Sequence, residues 1–281
     1  MKTRLRIWSS LSLIAMLLIS VSCSKDEPGL NDKHGSKDDS GTKRLVRTIE
    51  IETNRVGTDT ENYTFSYDVE GKLKMVSADW LGSHGIKTGG LKNTYAMVGN
   101  NLILDFFSYE GQKVDEEKYT CTLNSSGMVE SMTDIDNNTN TLSYQNGCLS
   151  KWVESDAGGE ESVQYTWQEG NLIKGRWSDG MVEEYTYYTE VNKMNIEMLE
   201  AFYGIELFDC SYVLTSGYFG LRNKNLLKKG YSRNAKDMQS IEYSYQFDKD
   251  GYVVGFNAIT ADYYYDGTEK KTTYTGKVIY Y

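Results

Sequence analysis

Histidine is almost missing from this chain: two occur in 281 residues, His34 and His84. A His-based nucleophilic triad or a multi-histidine metal site therefore has little to draw on. His84 follows Ser83, but neighbouring side chains of an extended chain point apart, so the pair cannot serve as base and nucleophile. Proline occurs once, at Pro28. Positive charge is in deficit, with 30 Lys and Arg against 40 Asp and Glu and a formal net charge of −10. Phosphate backbones are bound by basic surface, so this balance argues against a nucleic-acid partner. No phosphate loop, dinucleotide fingerprint or zinc pattern occurs, and no cofactor or metal is expected. The apolar run from Leu11 to Val21 is about half the roughly 20 residues that span a bilayer as a helix.

What is present at the N-terminus is a processing signal. Lys2, Arg4 and Arg6 precede the apolar run, which ends in Val21-Ser22-Cys23. A short apolar run closing on small residues and a Cys resembles a bacterial lipoprotein signal, in which the Cys is acylated and becomes the new N-terminus. The Leu usual three residues before that Cys is replaced here by Ser20. The resemblance implies that residues 1–22 are removed and Cys23 is lipidated. Lys25-Asp26-Glu27, directly after it, resembles the short tag that sends Bacteroidetes lipoproteins to the outer face of the outer membrane. Residues 23–43 are rich in charge, Gly and Ser, cannot bury apolar surface, and read as a flexible tether to a single domain over 44–281. Losing three cations with residues 1–22 takes the net charge from −10 to −13. Cys121, Cys148 and Cys210 remain, an odd number with no metal-type spacing, and buried free thiols are expected.

From Leu45 onward one pattern recurs. Tyr63-Thr-Phe65-Ser-Tyr67-Asp-Val-Glu-Gly71-Lys-Leu73 alternates large apolar and small polar residues, breaks at a Gly, and alternates again. Copies run from Tyr119 through Gly127 to Val129 and from Tyr243 through Gly251 to Val253, with shorter ones around Gly147 and Gly170. Alternation broken by a Gly turn is a β-hairpin signature. The spacing predicts that Asp68 closes on Lys72 over a three-residue loop, with Tyr67 opposite Leu73 and Phe65 opposite Met75. The same arithmetic pairs Leu123 with Val129 and Phe247 with Val253. Asn146-Gly147 and Glu169-Gly170 fit two-residue type I′ turns.

The opposite face of these strands is polar: Thr64, Ser66, Lys72, Lys74, Thr120, Thr122, Ser244 and Gln246. A transmembrane barrel needs an apolar band there. The expected fold is therefore all-β, an antiparallel meander of Gly-turned hairpins closed into a barrel-like or half-barrel body. One segment departs, with apolar residues at 196, 199, 202 and 203, and predicts a short helix near 192–203. The signal, the hairpins, the Asn192-Lys193-x-Asn195-Ile196 segment and the Lys224-Asn-Leu-Leu227 stretch together resemble a Bacteroidetes lipoprotein family of unknown function with a porin-like fold. That resemblance implies a curled or closed β-meander over Leu45 to Tyr281 and brings no catalytic residues with it.

Carboxylates are abundant, but Asp105, Glu154 and Glu183 stand in no motif that would mark an acid–base pair. Asp134-Ile-Asp136-Asn-Asn138 mimics the start of a calcium loop without its central Gly or closing Glu, and reads better as a hairpin loop. Aromatics remain. Most of the 23 Tyr fall at core-facing repeat positions. Those off the pattern, Trp80 in an expected loop, Trp152, Trp177 and the run Tyr263 to Tyr265, are candidates for stacking on sugar rings. The expectation is a non-catalytic lipoprotein, anchored in the outer membrane by its lipid and facing the cell exterior, that binds a glycan or host-surface ligand through Trp80, Trp152 and Trp177. The alternatives are a carrier of apolar ligands and an acid–base hydrolase. A carrier requires a large apolar cavity; a hydrolase requires two facing carboxyls in an aromatic cleft.

Overall fold

Alternating apolar and polar residues give sixteen strands in the computed structural model, which describes residues 44–54, 59–198, 213–233, 238–264 and 267–281. In chain order they are β1 (Val46–Thr53), β2 (Thr60–Tyr67), β3 (Leu73–Leu81), β4 (Lys87–Val98), β5 (Asn101–Glu110), β6 (Lys113–Leu123), β7 (Val129–Asp134) and β8 (Thr139–Gln145). There follow β9 (Cys148–Asp156), β10 (Gly159–Gln168), β11 (Asn171–Trp177), β12 (Val182–Val191), β13 (Asn225–Arg233), β14 (Met238–Phe247), β15 (Val253–Tyr263) and β16 (Glu269–Tyr280). Each pairs antiparallel with its sequence neighbour, and β1 pairs with β16, so the meander closes into a barrel.

Sixteen strands ordinarily enclose a water-filled lumen. Here the inward positions are large and apolar. Tyr63, Phe65, Leu73, Leu102, Leu104, Met132, Tyr243 and Phe256 are all but fully buried. Each such side chain contributes roughly 1.5–3 kcal/mol by leaving water. Outward positions carry Glu50, Lys74, Thr120, Glu242, Ser244 and Lys271, with surface ion pairs such as Lys277–Glu50 and Lys174–Glu184. The wall is thus apolar inside and polar outside, the reverse of a membrane-spanning barrel.

The turns follow the Gly pattern. Gly71, Gly127 and Gly251 lie at φ +78°, +74° and +75°, a left-handed conformation that Gly adopts without a Cβ clash. Asp68 N–H donates to the Lys72 carbonyl as the spacing predicts, and both residues of Asn146-Gly147 and of Glu169-Gly170 have positive φ. Tyr67 faces Leu73, Leu123 faces Val129 and Phe247 faces Val253. One expected pair is corrected: a register shift between Ser66 and Tyr67 places Phe65 opposite Val76, and Met75 opposite Ser66. The bulge recurs at the other long-form turns and at the short-form turns, and the backbone carbonyl beside it is bonded by an aromatic side chain from a nearby strand. Tyr144 donates to Val129 O (2.6 Å), Trp167 to Leu149 O (2.7 Å), Tyr187 to Leu172 O (2.6 Å) and Tyr280 to Val253 O (2.9 Å). A ring in the core with its polar tip on a bulge explains much of the tyrosine richness.

The expected helix near 192–203 does not form over residues 192–197, which are irregular; 199–203 lie outside the described residues. Met198 is helical, while ahead of it Asn195 accepts from Val46 N of β1 and Glu197 from Asn223 of the same connection. A single helical turn occurs at Val213–Ser216.

Candidate functional site

The barrel has two chemically distinct ends. Turns β2–β3, β6–β7, β8–β9, β10–β11 and β14–β15 lie at the first end, together with the long β12–β13 connection. The described parts of that connection pack into the barrel, burying Met194, Ile196, Met198, Tyr218 and Phe219 in the core. Phe219 stacks on Trp152, with ring centroids 6.1 Å apart and planes within 7°.

Polar contacts fix this plug to several strands. Asn195 Oδ1 accepts from Val46 N (3.0 Å), Asn223 Oδ1 accepts from Leu172 N (2.6 Å), and Tyr218 O accepts from Val129 N (2.8 Å). Glu197 is buried, accepting from Asn223 N and Nδ2 at 2.8 and 2.9 Å. Burial pushes its pKa up, while the Asn223 bonds and the charge of Arg222 oppose that shift. The chain also enters the barrel at this end, where Arg44 pairs with Asp248 and Asp250 of the β14–β15 turn.

At the other end the inward face changes character. Glu61, Glu117 and Glu183 occupy inward positions of β2, β6 and β12, each two residues before an inward Tyr. Residues two apart on a strand share a face, so the tyrosine can reach back. Tyr63 donates to Glu61 and Tyr119 to Glu117, both at 2.9 Å. In the third pair Glu183 and Tyr185 are both buried, and burial followed by the Glu183 charge pushes the Tyr185 hydroxyl well above its usual pKa.

Between these, strands β9 to β11 form a small depression lined by Trp152, Glu154, Glu161, Ser162, Val163, Tyr165 and Trp177, with about 10 Å³ of free space, room for roughly one water. The register explains its layers. Val163 stands opposite Trp152 on one side and Trp177 on the other, making a row of indole, valine and indole across three strands. One row nearer the mouth, Glu161 stands directly opposite Glu154. One row deeper, Tyr165 stands opposite Gly175, and Gly175 opposite Glu183. A Cβ on Gly175 would lie 2.6 Å from a Glu183 carboxylate oxygen, so the missing side chain is what seats that carboxylate. Trp152 Nε1–H donates to Asn140 Oδ1 (2.6 Å), whereas the buried Trp177 Nε1–H has no acceptor among the described residues.

Two of the three expected aromatics, Trp152 and Trp177, therefore share one pocket. Trp80 does not. It lies in strand β3 rather than a loop, opposite Glu61 and across from Gly89, where a Cβ would approach its ring to 2.5 Å. Glu154 and Glu183 are brought to this end, while Asp105 sits on the outward face of β5. Glu161 and Tyr165 were not singled out by sequence, although a Glu at an inward parity position was the available signal. Asp134 bonds its own turn, accepting from Asp136 N and Asn138 N at 2.9 and 2.8 Å, as a hairpin loop does. Cys121 and Cys148 are free thiols, and burial pushes Cys121 up to about 12. Cys23, Lys25, Asp26, Glu27, Cys210 and Tyr265 lie outside the described residues.

Among solved structures the chain is similar to a porin-like protein from Bacteroides uniformis, with a TM-score of 0.63 and 16% identity over 84% of this chain and 96% of that one. A porin-like protein from Bacteroides vulgatus, at 12% identity, aligns with a TM-score of 0.31 over 85% of this chain and 99% of that one. No protein-family model matches the sequence, and no curated protein matches it significantly. Likeness at 16% identity establishes the fold: a closed, porin-like antiparallel barrel.

Proposed function

We propose that this chain is a lipid-anchored binding barrel of the outer membrane, displayed on the cell exterior, that takes a glycan at its open end. The observation that carries this reading is the half-buried Trp177 indole on β11, close to the exposed Glu161 and to Glu154 at the rim of β9 and β10. The Cys23 anchor and the Lys25-Asp26-Glu27 tag enter this reading from the sequence alone. The polar outer wall supports a barrel held outside the bilayer.

The alternatives fare less well. A carrier needs an unfilled apolar lumen, but Tyr63, Phe65, Tyr243, Phe256 and the plug residue Phe219 occupy it. A glycoside hydrolase needs carboxyls on opposite sides of the scissile bond. Glu154 and Glu161 are cross-strand neighbours that project the same way from one wall, an arrangement for gripping a ligand rather than flanking a bond. The test is a screen of the mature protein against host and dietary polysaccharides. Binding should weaken about tenfold or more in Trp177→Ala, the loss of one stacked ring and one hydrogen-bond donor, and persist in Trp80→Ala. Binding that ignores Trp177→Ala contradicts the reading.

A further inference from the structure

The outer wall carries one row unlike the rest. Strand pairing sets Lys151 of β9, Gln164 of β10, Arg176 of β11, Val182 of β12, Arg233 of β13 and Met238 of β14 side by side on the outward face. The row holds three cations and no carboxylate, on a chain whose net charge is −10. Elsewhere on the wall cations are matched: Lys277 pairs with Glu50, Lys271 with Glu269 and Lys174 with Glu184. Lys151, Arg176 and Arg233 make no ion pair among the described residues, and both arginines are exposed. Glu184, in the next row, is held below the usual carboxylate range by its Lys174 hydrogen bond and by the charges of Lys174 and Arg233. At physiological salt, charges more than about 8 Å away are largely screened, so a bound chain feels this row rather than the acidic whole.

Lone cations on a solvated sheet are ordinary; the spacing of these points to a ligand. Neighbouring strands lie about 4.8 Å apart, so cations on β9, β11 and β13 recur about every 10 Å. That interval is close to two linked pyranose rings. A polysaccharide charged on every second sugar sets an anion against each cation and a neutral sugar over Gln164 or Val182. Arginine suits such an anion, because its planar fork meets a carboxylate through two parallel bonds. Tyr231 shares the outward face with Arg233, two residues on, and its hydroxyl donates to Met238 Sδ (2.8 Å), which holds the ring along the wall. The wall is convex across its strands, so a linear chain can follow the row where a flat bilayer touches only part of it.

We infer that the outer face of β9 to β13 binds a linear polysaccharide with a carboxylate on alternate sugars, one each to Lys151, Arg176 and Arg233. Arg176 and Trp177 are neighbours on β11 and point to opposite faces, so this surface is separate from the one proposed at the open end.

Calorimetric titration of the full mature protein at about 0.15 M salt tests this. The probes are a hyaluronan hexasaccharide, with a carboxylate on every second sugar, its carboxyl-reduced form, and phosphatidylglycerol vesicles. The hexasaccharide should bind at least about tenfold tighter than its reduced form. Arg176→Gln and Arg233→Gln should each weaken it about threefold, the scale of an exposed ion pair, and the triple variant with Lys151→Gln about tenfold or more. Lys277→Gln makes the same change in net charge at a lysine already paired with Glu50, and should leave the affinity unchanged. Equal weakening by Lys277→Gln overturns the site. Equal binding of the two hexasaccharides, or binding of neither, overturns the carboxylate ligand. Vesicle binding that the triple variant abolishes, without hexasaccharide binding, assigns the row to a membrane surface and overturns the polysaccharide.

Discussion

The Tyr144 hydroxyl on β8 donates to the Val129 carbonyl at the start of β7, 2.6 Å away, and holds the bulge behind the β6–β7 turn. Val129 N–H meanwhile donates to Tyr218 O of the plug, so the residue next to a tight turn joins wall and filling. Tyr144→Phe keeps the ring and strands the carbonyl. It should cost about 1–3 kcal/mol in denaturant unfolding, the penalty of an unmet buried acceptor, with an unchanged denaturant slope. Tyr264→Phe, at an exposed hydroxyl, should cost nothing measurable by the same method.

Glu197 makes the plug sensitive to pH. Its folded pKa is raised, chiefly by burial, so the folded state holds this proton more tightly than the unfolded chain. The stability it contributes is fully present below the unfolded carboxyl value and is lost as pH rises through the folded value. Glu197→Gln should remove that loss. The stability difference between wild type and Glu197→Gln, followed by thermal unfolding, should move against wild type as pH rises from 4 toward neutrality. A difference that stays flat with pH, or moves the other way, contradicts the assignment.

Much of the fold was legible because barrel strands obey a period of two and their turns demand Gly at positive φ. Gly71, Gly127 and Gly251 announced the hairpins, and Tyr67, Leu123 and Phe247 found their partners by counting. Phe65 did not, because a bulge costs one residue of register that alternation cannot see. The start of the plug was not legible for another reason. Ile196 and its apolar neighbours have helical spacing, but Asn195 is bound to Val46 of β1 and Glu197 to Asn223 at the far end of the same connection. The site was half legible. Trp152 and Trp177 stood off the repeat, yet their meeting depends on Val163 pairing with both, and Glu161 mattered only once it faced Glu154.

The anchor is testable apart from the ligand. Cys23→Ser should move the protein from the membrane fraction to the soluble envelope or medium. Protease applied to intact cells should remove the wild-type barrel. Protection until the envelope is ruptured contradicts display on the exterior face.

The most direct test of the binding account is the Trp177 indole itself. Without residues 1–22 the chain keeps four tryptophans, Trp80, Trp152, Trp167 and Trp177, hence four indole N–H signals in a proton–nitrogen NMR spectrum. Trp152 and Trp167 already donate to Asn140 and Leu149. On titration with a glycan that binds, the signal assigned by its loss in Trp177→Phe should shift downfield as it gains an acceptor, while that of Trp167 stays in place. A saturating ligand that leaves the Trp177 signal unmoved would contradict the account.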